Sequence, residues 1–553
     1  MIDIKDRTKT LHLTVAFVSL LLFIPFLGNV HLFDWDEINF AEAAREMLVT
    51  GDWLRVHIDY APFWEKPPLF IWLQAIAMSV FGVNEFAARL PNALIGVATL
   101  QILLYLGRKI HSLQFGLWWV LAYVGSFLPH FYFKSGIIDP LFNLSIFLAV
   151  YFLCKALKKE SAIDIVYAGI ATGIAVLTKG PVGFLLPSMV GMIMLLWQRN
   201  ISMFVVKSII MYLCVSLLVS LLWFGVEYSI NGSWFIEEFI RYQLRLLTTG
   251  DAGHSQPFYY HFVVVLIGCF PASIYAIFGF RRAWKNDTHS FSQWMIVLFF
   301  TVMILFSIVQ TKIVHYSSLA YYPVTYLAAF VITQFLEKRS QKTSPFIALY
   351  SLLNIVWIGL FTALWYIGTH IDFIISITKR DFEKANLSAP VVWSGYEVIV
   401  PCILVLGFIA SILFMRRTKY VYSIVSGFVA VIIAITIFLP LVAPKVEGYT
   451  QRSILEFYQQ TSGEDCYVQP IFYKTYSHLF YGNRKYSQSP ASKNMTSGEF
   501  EEWLKFGAID KPAYFIAKLQ DKHHLDDIEN AQYYGSYYGF LVYKRTVQTM
   551  SKR

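Results

Sequence analysis

The sequence predicts an α-helical polytopic membrane protein with a small C-terminal α/β domain, and three observations predict it. Of 553 residues, 56% are hydrophobic and 17% aromatic while only 15% are charged, far outside the usual soluble range. The apolar residues gather in long runs, about 13 of which are long enough to cross a bilayer. From residue 444 onward, Tyr, Gln, Ser, Asn and charged residues replace those runs.

Taken in order, the first run covers residues 11–30 and follows the basic residues Lys5, Arg7 and Lys9. It exceeds a signal-peptide core and no small-x-small cleavage site follows it, so an uncleaved anchor with a cytoplasmic N-terminus is expected. Further spans are predicted at 91–107, 115–134, 140–157, 164–178, 182–197, 203–228, 259–280, 293–309, 317–335, 345–368, 394–414 and 419–441. The apolar segment Leu69–Phe81, at roughly 13 residues, is short for a span. If it crossed, the basic turns Gly107-Arg108-Lys109, 155–159, Arg281-Arg282-Ala283-Trp284-Lys285, Glu337-Lys338-Arg339 and Arg416-Arg417-Thr418-Lys419 would all face outward, against the positive-inside bias. An interfacial or re-entrant helix is therefore expected there. The loops 31–90, 135–139, 229–258, 310–316 and 369–393 then fall outside together with the C-terminal tail; Lys379-Arg380 is the one basic pair on the wrong side, offset by Asp381 and Glu383.

The chain divides at this level into a membrane domain, 1–443, and a soluble α/β domain, 444–553. In the latter, Ser453-Ile454-Leu455-Glu456 and Thr496-Ser497-Gly498-Glu499 match the capping box that starts a helix. Strands are predicted at 466–473, 513–517 and 538–543 from their aromatic and β-branched content.

Composition and motifs also exclude. The net charge of +9 is concentrated in short turns between spans, which reads as topology and sets nucleic acid aside. Cys154, Cys214, Cys269 and Cys402 lie in apolar runs and only Cys466 in a polar one, so neither a disulfide framework nor a thiolate metal site is implied. The stretch from Gly173 to the Thr178-Lys179-Gly180 end reverses the order a phosphate-binding loop requires and has no strand before it. There is no His-Glu-x-x-His site and no Gly-x-Ser-x-Gly elbow, and no internal repeat is visible.

The polar residues that remain lie in the outer loops. Asp34, Asp36 and Glu37 introduce a stretch whose Ile38, Ala41, Ala44 and Leu48 share one helical face, so an amphipathic surface helix is expected. Asp36 and Glu37 suit acid–base work, and equally suit the first turn of that helix, where carboxylates favour the dipole. In the same loop, Glu65-Lys66-Pro67-Pro68 places a lysine on a stiff turn beside Phe63-Trp64; Lys66 can hold a phosphate or simply snorkel at the interface. Asp139-Pro140 is either a helix start or a second carboxylate near Asp36, with base and orienting roles divided between them. The outer loop 229–258 offers Arg241 and Arg245, which read as phosphate ligands or as an ion-pair ladder with Glu237. It also offers His254, a metal ligand or a solvated loop histidine. Lys312 and His315 extend the cationic rim.

Read together, Asp36-Glu37, Ala44-Arg45-Glu46-Met47, Gly51-Asp52-Trp53, Glu65-Lys66-Pro67-Pro68, Arg89-Leu90-Pro91, Asp139-Pro140 and Thr178-Lys179-Gly180-Pro181 resemble, in that order, the membrane glycosyltransferases of the GT-C fold that use lipid-linked sugars. The likeness is to the lipid A aminoarabinose transferases and the related protein O-mannosyltransferases, and covers the first 200 residues. It implies about 13 transmembrane helices, interfacial helices in the first loop and a periplasmic α/β domain. It further implies a bacterial inner-membrane location, a polyprenyl-phosphate sugar donor such as an undecaprenyl phosphate sugar, and a glycolipid (lipid A-like) or protein acceptor. By the same resemblance Asp36, Asp139 and Glu37 are the catalytic candidates, Lys66, Arg241, Arg245 and Lys312 the lipid-phosphate ligands, and Glu65 with His254 a possible divalent metal pair. The competing reading is a transporter or flippase of a lipid-linked anion, in which the same charges would form a gated site.

Overall fold

The computed structural model describes residues 2–199, 202–248, 256–285, 291–338 and 344–547. Among them, nine helices are long and apolar enough to cross a membrane, and ten if the bent pair Tyr260–Gly268 and Ala272–Lys285 counts as one span. Four shorter apolar helices, Thr8–Phe23, Leu69–Phe81, Leu113–Val124 and Val182–Gln198, accompany them. The predicted spans coincide with helix except the first, whose helix stops at Phe23 and leaves 24–30 in turns; two others are broken. The 115–134 run divides at Gly125-Ser126 into Leu113–Val124 and Phe127–Tyr132, and the 259–280 run bends by 113° between its halves. Pro129 and Pro271 lie at these interruptions, where a missing N–H and a fixed φ disfavour an unbroken helix.

The bundle core is aromatic. Trp119, Trp294, Tyr322 and Tyr326 are fully buried, with Phe147 stacked on Tyr322 at 4.4 Å between ring centroids and Trp119 edge-on to Tyr326 at 5.1 Å. Such pairs add about 0.5–1.5 kcal/mol each to their burial. The helices Met203–Asn231 and Pro345–Thr369 instead leave most of their apolar side chains uncovered by protein; Leu217, Leu218 and Leu222 stand out from the first, as a lipid-facing surface requires.

In the loop after the first helix, helix Asp36–Thr50 packs beneath a two-residue hairpin of β1 (His57–Ile58) and β2 (Ala61–Pro62), and helix Leu69–Phe81 follows. The C-terminal part builds a four-stranded sheet in the order β3-β4-β6-β5 from β3 (Tyr467–Pro470), β4 (Ala513–Lys518), β5 (Ala531–Tyr537) and β6 (Phe540–Arg545), with β3 parallel to β4 and the other pairs antiparallel. β5 is an edge strand that the sequence did not announce: its side chains are mostly exposed, so it lacks the apolar alternation of a half-buried strand. The Thr496/Glu499 capping box forms in both directions. The one expected at Ser453 does not: the helix begins at Arg452 without a side-chain cap, and the Ser453 hydroxyl donates to the Tyr537 carbonyl at 3.2 Å.

One hydrophobic cluster joins the first loop to the C-terminal part. Ile38, Phe40 and Met47 share it with Phe70 and Ile71 and with Leu455, Phe457, Tyr514 and Val542. Polar contacts follow the same seam, with the Leu32 N–H donating to the Tyr481 hydroxyl at 2.7 Å and Gln451 donating to the Leu32 carbonyl at 3.0 Å. The sheet therefore backs the loop that carries Asp36.

Candidate active site

A cavity of about 940 Å³ opens where the first loop, helix Asp139–Lys159, helix Trp234–Thr248 and the segment 305–316 meet. Its walls are mostly aromatic and aliphatic, and its polar groups converge. Nε2 of His315 lies 3.2 Å from Asp36 Oδ2 and 4.0 Å from Asp139 Oδ2. Lys179 closes the group, with Nζ 2.6 Å from Asp139 Oδ1 and held over the Tyr316 ring at 5.1 Å.

Local structure explains each placement. Asp36 opens helix Asp36–Thr50 yet spends its carboxylate on His315; the preceding Trp35, at φ 73° and ψ −113°, is the N-cap and makes no side-chain cap bond. Asp139 opens its helix with Pro140 in the first turn, the position where a missing N–H costs nothing. Its carboxylate does not cap the helix but reaches Lys179. Asp139 is buried, and its Oδ2 accepts no hydrogen bond among the described residues. Lys179 ends helix Ala162–Lys179, followed by Gly180 at φ +85°; a Cβ there would meet the Phe239 ring at 2.1 Å. A glycine is thus required between the lysine and the helix Trp234–Thr248 that covers it.

The other candidates separate. Lys66 lines the cavity with its ammonium 5.0 Å from the Tyr242 ring centroid, and the Arg245 guanidinium lies 5.3 Å from that ring. Glu65 lines the cavity too, whereas His254 lies outside the described residues. Among the described residues no set of three His, Cys, Asp or Glu side chains is arranged to hold a metal ion. Arg241 does not line the cavity: it is exposed and pairs with Glu238 at 2.5 Å, one position along from the expected Glu237. Lys312 is buried behind the wall and donates to the Val309 carbonyl at 2.8 Å.

Glu37 lies at the cavity edge but its oxygens are committed. Arg89 donates to both, at 2.7 and 2.9 Å, while the N–H groups of Phe33 and Gly136 donate at 2.9 and 2.5 Å. Burial alone would push its carboxyl up, but Arg89 and these amides hold it below the usual range. A carboxylate so occupied has no lone pair for a proton in transit. It ties loop 33–37 to the turn at Gly136, and so sets Asp36 against Asp139. Burial pushes the neighbouring Asp34 carboxyl up, against hydrogen bonds from Thr475, Trp35 and Tyr476.

Two lining residues escaped the reading of the sequence as chemistry. Lys179 sat in a stretch dismissed as a false phosphate loop, and its value depends on Asp139, 40 residues away. Lys474 comes from the C-terminal part, and no local pattern marks it.

Comparison with known proteins follows from this geometry. A family model described as dolichyl-phosphate-mannose-protein mannosyltransferase matches residues 65–226. The undecaprenyl phosphate-alpha-4-amino-4-deoxy-L-arabinose arabinosyl transferase 2 of Pseudomonas fluorescens is 26% identical over 338 residues, 60% of this chain and 57% of that protein. The arabinosyl transferase of the same substrate name from Pseudomonas aeruginosa is 25% identical over 334 residues, 60% of each chain. The chain thus spans less than two thirds of the length of these relatives. In fold the likeness runs end to end: ArnT from Cupriavidus metallidurans bound to undecaprenyl phosphate aligns with a TM-score of 0.75 at 16% identity, covering 96% of this chain and 97% of that one. Its apo state aligns equally well, at 17% identity over 97% and 98%. In sequence over about 60% of its length, and in fold along nearly all of it, the chain is similar to these arabinosyl transferases.

Proposed function

We propose that the protein transfers a sugar from a polyprenyl-phosphate donor to an acceptor at the outer face of the bacterial inner membrane, the acceptor being lipid A or another glycolipid. The observation that carries this reading is the pairing of Asp36 and Asp139 about one imidazole in a large apolar-walled cavity that also receives Lys66. An acceptor oxygen attacks the anomeric carbon, a new C–O bond forms, and the bond from that carbon to the phosphate oxygen breaks. The electron pair leaves on the polyprenyl phosphate, whose charge Lys66 and Arg245 stabilise as it develops. If the acceptor is a hydroxyl, its proton passes to a carboxylate, for which Asp36 is the partly exposed candidate. If the acceptor is a phosphate, no proton moves and Asp36 orients it. His315 and Lys179 hold the two carboxylates in place.

The orientation assigned from the basic turns belongs to this reading: N-terminus cytoplasmic, first loop and C-terminal domain periplasmic. So does a divalent ion between Glu65 and His254, which a chelator titration of activity would test. Transfer to a protein hydroxyl is the nearest alternative, and lipid translocation without transfer the more distant one.

The deciding experiment supplies purified protein in nanodiscs with a radiolabelled polyprenyl-phosphate sugar and total envelope glycolipids. Label should appear in glycolipid, and Asp36→Asn and Lys66→Ala should each abolish it. Near wild-type turnover in both variants, or movement of intact donor between leaflets with no transfer, overturns the reading.

A further inference from the structure

Among the described residues, one cation of the cavity comes from neither the membrane bundle nor its loops. Lys474 lines it from the C-terminal part, whereas every other lining residue precedes position 317. The Lys474 ammonium lies 5.8 Å from the Trp35 ring centroid and 5.3 Å from that of Tyr476. It hydrogen-bonds the Tyr476 side chain, and none of the carboxylate ion pairs among the described residues includes it. The turn carrying it is fastened to the catalytic loop, because Asp34 accepts hydrogen bonds from the Thr475 hydroxyl and the Tyr476 N–H.

Trp35 is the second observation. Its backbone, φ 73° and ψ −113°, lies where a bulky side chain costs about 1–3 kcal/mol. The strain does not bury the indole, which is 43% exposed and faces the cavity beside Asp36. Packing therefore does not account for the conformation. A flat apolar face next to the reacting carboxylate, with an ammonium set over it, accounts for it as a binding surface.

We propose that Trp35, Tyr476 and Lys474 form the acceptor subsite, and that they select a saccharide head group carrying an anionic substituent. This rests on the transferase reading above. The aromatic faces suit the C–H face of a pyranose ring, as apolar surfaces with a polar edge. A lysine beside the Trp35 ring and hydrogen-bonded to the Tyr476 hydroxyl, without a carboxylate partner, draws a phosphate or carboxylate into a charge-assisted hydrogen bond. The donor phosphate is served from a different wall by Lys66 and Arg245 about Tyr242. The C-terminal domain is thus the part that reads the acceptor.

The test titrates acceptor against fixed donor in nanodiscs, using a phosphorylated glucosamine glycolipid, a uronic-acid glycolipid and a neutral glycolipid of the same lipid length. Lys474→Ala should raise the KM for the matching anionic acceptor at least tenfold and leave the donor KM within twofold. Lys474→Arg should recover most of the loss, and the neutral glycolipid should bind weakly to wild type with no further loss in Lys474→Ala. Whether phosphate or carboxylate is preferred identifies the anion. Equal loss for neutral and anionic acceptors, or a raised donor KM with acceptor KM unmoved, overturns the proposal. Direct binding of the same three glycolipids to full-length protein, measured by fluorescence without donor, gives the same comparison independently of turnover. If wild type transfers no sugar yet binds the anionic glycolipid through Lys474, the transferase reading fails and the subsite stands; if binding is indifferent to Lys474, the subsite fails.

Discussion

Nε2 of His315 stands 3.2 Å from the Asp36 carboxylate, and the same nitrogen is 4.0 Å from Asp139. One imidazole thereby organises two acids that lie about a hundred residues apart in sequence. Asp36→Asn keeps the shape and removes the charge, and should lower kcat by about 10²–10⁴-fold with donor affinity unchanged. His315→Ala should lower kcat less, because it loosens rather than removes the carboxylates. Single-turnover rates with labelled donor check both; an Asp36→Asn rate within threefold of wild type would remove Asp36 from the chemistry.

Glu37 and Arg89 form a buried ion pair at 2.7 Å, and Arg89 also donates to the carbonyls of Leu27, Val30 and His31. Removing one partner strands the other, so Glu37→Gln or Arg89→Ala should cost about 3–5 kcal/mol. Thermal unfolding in detergent should show the loss in both. A stable Glu37→Gln variant without activity would instead argue for a direct catalytic role.

Asp59 and Tyr60, at φ 58° and 59°, form the two-residue turn between β1 and β2. Burial pushes the Asp59 carboxyl up to about 6 despite Arg484 at 3.2 Å. The folded state thus holds this proton more tightly than the unfolded chain, and its contribution grows as pH falls through about 6 and is lost as pH rises above it. The stability of wild type relative to Asp59→Asn should rise between pH 7.5 and 4.5 by about 2 kcal/mol. Asparagine tolerates the turn, so the comparison isolates the charge. A pH-independent difference would contradict the assignment.

Gly180, at φ +85° and ψ −154°, occupies backbone space that is almost exclusive to glycine. Gly180→Ala should lower the melting temperature and reduce kcat by displacing Lys179 from Asp139. Adding Phe239→Ala relieves the contact with the ring but not the backbone, so the double variant should recover only part of the loss. Full recovery would assign the glycine to ring clearance alone.

Much of the architecture was legible in the chain because it depends on local composition. The predicted spans after the first coincide with helix, and Leu69–Phe81 is a separate 13-residue helix, too short to span as its length suggested. The Thr496 capping box was legible for the same reason, since its donors and acceptors lie within four residues. The identical pattern at Ser453 failed, because Tyr537 from a distant strand claimed the hydroxyl. Arg241 was misplaced in the same way, by a choice of neighbour that helical periodicity alone does not make.

The sequence by itself determined the membrane class, the helical runs, the carboxylates between them and the order of motifs, since hydrophobic length and turn chemistry act over a few residues. Tertiary structure alone decided that Glu37 is held by Arg89, that Lys179 answers Asp139, that His315 joins Asp139 to Asp36, and that Lys474 enters from the far end of the chain. Charge interactions fall off over a few ångströms in space and take no account of separation along the chain, so only the packing of helices could assign those partners.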